Sequence, residues 1–153
     1  MKLHKALKLR KSLNGEIAKL QQQISQKNSY TVGSLDTTKY SVDKLYETLL
    51  KKVQDLVNLK IVINEANREI QGKIFMLSEY KSLINFWNNV SVTEGDVTQG
   101  YGNVVVLKYA AQIDEEKRNE YVAEFQKKVD AIQEEIDTYN YTTEVQWDEP
   151  NET

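Results

Sequence analysis

The residues of this chain that could do chemistry are carboxylates, tyrosines and one histidine; cysteine is absent from all 153 positions. Without cysteine there is no disulfide framework and no thiolate metal site. A Ser-His-Asp triad or a histidine-based metal site would have to use His4, which sits in a basic N-terminal turn beside Lys2 and Lys5 and reads as an exposed helix residue. Carboxylates pair along the C-terminal third, as Glu120 with Glu124 and as Glu134, Glu135 and Asp137. A di-metal carboxylate bundle also needs Glu-x-x-His motifs, which a chain with one histidine cannot supply in pairs. The carboxylates therefore read as a solvated acidic face. Gly95, Gly100 and Gly102 do not lead into a helix through Lys-Ser or Lys-Thr, so no phosphate loop is present. The expectation is a non-enzymatic protein with no catalytic residues, no cofactor and no metal.

Charge points toward protein partners. Residues 1–28 hold seven Lys and Arg against one Glu, a net of +6, and residues 114–153 hold four against thirteen acids, a net of −9. Opposite blocks favour pairing of the first and fourth helices, within one chain or between chains. The basic start could touch phosphates, but the chain carries a formal net charge of −3 and its basic face lacks interleaved aromatics, which argues against nucleic acid. A membrane surface is also disfavoured, because the apolar stripe of that helix has no Trp or Phe.

Long helices must position all of these groups. The one proline, Pro150, lies beyond every candidate helix, so nothing interrupts the hydrogen-bond ladders. The spacing predicts a first helix over about 2–28, with Leu3, Ala6, Leu13, Ile17, Leu20 and Ile24 on one narrow seam. A polar connection, 29–40, leads to Ser41 as N-cap of a second helix reaching about Ile70. Val42, Leu45, Leu49, Val53, Leu56, Leu59, Ile63, Ala66 and Ile70 stripe that helix, and Leu50, Val57, Ile61 and Val62 broaden it, so it should contact more than one neighbour. The first two helices should form an antiparallel hairpin about 40 Å long at 1.5 Å per residue.

Gly72 marks a break before a third helix, about 73–90, whose Phe75, Tyr80, Phe86 and Trp87 make it the expected best-buried element. Residues 91–102 read as a mobile loop. The run Val104-Val105-Val106-Leu107 reads as a strand. Asp114 can cap the fourth helix, seamed by Val122, Phe125, Val129, Ile132 and Ile136. Alternation from Tyr141 to Trp147 then indicates a second strand, expected to pair with the first or with a copy in another chain. The fold class is thus mainly α, a coiled-coil bundle of about four helices with a small two-stranded β element near the C-terminus. It forms one helical domain over 1–147, with a polar tail from 148 to 153.

Three stretches, in the same order along the chain, resemble the septicolysin-like family of small bacterial helical proteins. They are Met1-Lys2-Leu3 with Ala6-Leu7 and Leu9-Arg10, then Ile63-Asn64-Glu65-Ala66-Asn67, and the specific one, Asn140-Tyr141-Thr142-Thr143-Glu144. Tyr141 stands where the family has tryptophan, and the loop around Gly72 is shorter. The resemblance implies a helical architecture and no catalytic residues. The family's name hints at a membrane-active toxin, yet no residue here supports pore formation.

No run approaches the roughly 18 apolar residues of a membrane span, and no apolar leader follows the basic start. A cytoplasmic protein of a bacterium or phage is expected. The seams on the first helix (Leu13, Ile17, Leu20, Ile24) and the fourth predict self-association, with a second copy or other protein subunits as partners. The chain would then be a scaffold or interaction protein, or a structural subunit of a larger assembly such as a phage particle.

Overall fold

Apolar residues at alternating steps of three and four dictate where this backbone coils. The computed structural model describes residues 1–33 and 41–147. In order they form α1 (Leu3–Lys27), α2 (Val42–Asn67), α3 (Gln71–Asn89), β1 (Gly95–Gln99), β2 (Val105–Tyr109) and α4 (Glu115–Thr142). The protein is mainly helical, with one small antiparallel sheet. The expected caps form: Ser41 Oγ accepts from the Lys44 N–H at 3.3 Å, and Asp114 Oδ1 accepts from the Lys117 N–H at 2.8 Å. Most of the expected connection 29–40, and the polar tail from 148, lie outside the described residues. The backbone divides into two units, Met1–Glu69 with Thr138–Thr153, and Ile70–Asp137.

In the first unit α1 packs along α2. Glu16 is ion-paired to Lys52 at 2.9 Å, and Arg10 lies beside Val57 to Asn64, so the two helices run antiparallel. Leu3, Ala6 and Leu13 meet Leu56, Leu59 and Ile63 in one buried cluster, which Val145 completes. The long partner of α1 is therefore α2. This is the hairpin expected of the first two helices, and matched apolar seams make its contact, since screened surface charge is worth little beside buried area.

The segment after α4 closes this core. The expected strand Tyr141–Trp147 does not pair with the valine-rich run. Tyr141 and Thr142 remain helical, because the Thr143 N–H still donates to the Tyr139 carbonyl. From Thr143 the chain is extended and meets the N-terminus in a single antiparallel bridge, Lys2 to Glu144. The Leu3 N–H donates to Thr143 O at 2.9 Å, the Val145 N–H to Met1 O at 2.8 Å, and the Met1 ammonium to Val145 O at 2.7 Å. Alternation does hold from here: Val145 is buried while Glu144 and Gln146 face out. The Tyr139 hydroxyl donates to Ala66 O at 2.7 Å, tying the end of α4 to α2.

The second unit starts where the helical ladder breaks. The break falls at Arg68–Ile70, just ahead of Gly72; Ile70 leaves helical geometry (φ −105°, ψ 0°) and is itself buried. In this unit α3 and α4 run antiparallel, joined by Tyr80 on Phe125 (ring centroids 5.5 Å apart), Trp87 on Tyr121 (4.9 Å) and an ion pair between Lys73 and Glu135. The expectation that α3 is the best-buried element is overturned, for none of its residues is buried. Tyr80 and Trp87 are half-buried in tilted contacts with Phe125 and Tyr121, and Phe75 and Phe86 stay exposed.

Between α3 and α4 rises a hairpin. Residues 95–99 are a strand, correcting the expectation of a mobile loop over 91–102. They pair with 105–109 in the register Gly95 to Tyr109, Val97 to Leu107 and Gln99 to Val105. The reversal uses Gly100 and Gly102, both at positive φ, and a Cβ on Gly100 would stand 2.6 Å from Asn103 O.

Two stability measurements check this packing. Leu59 is fully buried, so Leu59→Ala should lower unfolding free energy by about 2–5 kcal/mol in urea titration. Gly15 lies within α1, and a Cβ there meets nothing within 4 Å, so Gly15→Ala should raise it by about 0.5–1 kcal/mol in the same assay.

Candidate functional site

The groups with chemical potential are dispersed. Among the described residues no three His, Asp or Glu side chains could hold a metal ion. Glu120 is engaged by Lys117, and Glu135 by Lys73. His4 is half-buried, where the sequence suggested exposure, and its ring lies 4.4 Å from that of Tyr141. Its packing comes from Tyr141 in the last turn of α4, which lies against the first turn of α1.

The residues of the C-terminal signature act in closing the first unit. Asn140 is half-buried and Tyr141 is exposed apart from its contact with His4. The Thr142 hydroxyl donates to Thr138 O, and its carbonyl accepts from Lys2 Nζ at 3.0 Å. Thr143 supplies the backbone bonds already described, and Glu144 is ion-paired to Lys2 at 3.0 Å. The hydrogen bond from Lys2 holds the Glu144 carboxyl below its usual range.

The seam residues lie on the inner faces of their own units where their contacts are defined. Leu13 is buried in the cluster with α2, and Ile17 packs against it; Leu20 and Ile24 are half-buried. Val129 and Ile136 are buried, Phe125 stacks on Tyr80, and Val122 and Ile132 are half-buried.

Other apolar surface is left uncovered. On α2, Tyr46, Leu50, Val53, Val57 and Ile61 are 38–53% exposed and, at steps of three and four, form a second stripe beside the buried one. The breadth noted in Leu50, Val57 and Ile61 was its sequence signal. Phe75, Leu83 and Phe86 line the open side of α3. A shallow groove of about 560 Å³ borders the α2 stripe, lined by Val57, Ile61 and Ile63 together with Arg10, Lys60 and Glu65.

Electrostatics in the first unit are modest. A hydrogen bond from Lys52, helped by its charge, holds the Glu16 carboxyl below its usual range. No family model matches the chain, and no curated protein or solved structure matches it.

A lowered folded-state value means that Glu16 contributes stability above the unfolded carboxylate range and loses it as pH falls through the folded value. Glu16→Gln should therefore destabilise at about pH 7 by less than about 1 kcal/mol, the partly exposed pair being screened, and the difference from wild type should vanish near about pH 3. Urea midpoints of both proteins at the two pH values check it.

Proposed function

We propose that this chain is a non-enzymatic helical scaffold that associates with further copies of itself through apolar helix faces. The observation that carries the reading is the second stripe of α2. Five large apolar side chains stay open on one side of a helix whose other side is already sealed by α1. Scattered exposed apolar residues are ordinary, whereas a contiguous rimmed patch marks an interaction surface. From Tyr46 to Ile61 the stripe runs about 22 Å at 1.5 Å per residue, enough for several layers of knobs-into-holes packing. Fully burying a Leu, Ile or Val contributes about 1.5–3 kcal/mol, so completing the burial of several supports a lasting contact.

The partner is a second copy of the chain. His4 does not line the groove beside the α2 stripe.

Light scattering over about a hundredfold concentration range tests this, since association follows mass action. The wild-type protein should show a mass at least twice the 17.7 kDa of one chain. Val53→Asp with Val57→Asp should reduce it without loss of helical circular dichroism, both residues being exposed within the single chain. A wild-type protein that stays monomeric throughout, or a double variant with unchanged mass, refutes the reading.

A further inference from the structure

The hairpin β1–β2 is a sheet of two strands, and such a pair is marginal by itself in water. Both faces of β2 are open: Val105, Leu107 and Tyr109 on one, Val106 and Lys108 on the other. Val106 is 58% exposed. Among the described residues, no backbone group outside β1 bonds to this strand, so its far edge offers a row of unused N–H and C=O groups. Edges of this kind are normally blunted by charge, proline or glycine. The two edges here differ. Strand β1 is Gly-Asp-Val-Thr-Gln, polar and with a glycine at its start, whereas β2 with the preceding Val104 is Val-Val-Val-Leu-Lys-Tyr, with a single charge.

We propose that the free edge of β2 pairs antiparallel with β2 of a second copy of this chain, about a two-fold axis at Val106. The sequence of the strand is complementary to itself in that register. Val106 lies opposite Val106, Val105 opposite Leu107, and Val104 opposite Lys108, so the single cation of each strand meets a valine and no like charges face each other. The strand order becomes β1-β2-β2-β1, and the outer edges are then the polar β1 strands, which stops growth at four strands. A two-fold pairing is closed, as most homodimer contacts are. This contact uses different residues from the α2 stripe and stands whether or not that stripe associates.

The absence of cysteine makes the test direct. Across an antiparallel axis, facing Cα atoms lie about 4.5–5.5 Å apart, within disulfide reach. Val106→Cys in the full chain, under mild oxidation, should give a covalent dimer on a non-reducing gel. It should form at least about tenfold faster than from Thr98→Cys, because pairing holds the two thiols at high effective concentration. Thr98 is the in-register neighbour of Val106 on β1, so it controls for chance collision. Val106→Lys, which sets two ammonium groups face to face, should abolish the β2 contact and lower the light-scattering mass while helical circular dichroism is kept. Cross-linking no faster at Val106 than at Thr98, or an unchanged mass for Val106→Lys, overturns the pairing. If this happens while wild-type protein is still oligomeric, the pairing falls and self-association through helices stands. If Val106→Cys cross-links while the α2 double variant leaves the mass unchanged, the reverse holds.

Discussion

The first unit depends on a handful of backbone hydrogen bonds between Met1–Leu3 and Thr143–Val145. Two antiparallel helices share one interface, and their seam would otherwise end open. The returning segment covers that end, adding Val145 to the buried cluster that holds Leu3 and Leu59 and resting Trp147 on it. Each such bond contributes only about 0.5–1.5 kcal/mol net, but an unpaired buried N–H would cost more than that. The bonds therefore fix where apolar side chains go more than they add stability. Lys2 strengthens the closure by binding both the Glu144 carboxylate and the Thr142 carbonyl.

The helices were legible in the sequence because their signals are local and repeated. Ser41 and Asp114 announced two helix starts, and the periodic seams placed α1, α2 and α4 within a few residues of where they lie. The errors share a cause. Strand β1 has one apolar residue in five and becomes a strand through its register with β2, which no window of sequence contains. Tyr141 and Thr142 fit a helix and an alternating strand equally well until the helical ladder claims them. The aromatic richness of α3 suggested depth, yet Phe75 and Phe86 are exposed and Tyr80 and Trp87 only half-buried. Of the candidate site, the width of α2 could be read from Leu50, Val57 and Ile61. Which of its two stripes α1 would cover could not, since that choice depends on packing between distant segments.

The two helical pairings illustrate different ways of using apolar area. Between α1 and α2 the contact is made of Leu, Ile and Ala, shapes that interdigitate and leave fully buried residues such as Leu3 and Leu59. Between α3 and α4 it includes tilted rings and a long basic side chain, with Lys128 over both Tyr80 and Phe125, beside the buried Val129 and Ile136. Tilted ring pairs and cation–π contacts tolerate solvent at their margins. The first kind of contact specifies a register closely, and the second accepts small displacements.

Because the first unit is assembled from both ends of the sequence, with residues 70–137 lying between them in the chain, its folding has an order in time. During synthesis the N-terminal segments emerge first, and α1 can find α2 as soon as both have left the ribosome. Tyr139 emerges with the last turns of α4, and Val145 and Trp147 after every helix and strand has been made. Until then the nascent hairpin exposes the apolar end that these residues will cover, and the second unit can fold in the interval. A chain stalled or cut before residue 138 would carry two formed helices with an unsealed core, a species recognisable to chaperones and proteases.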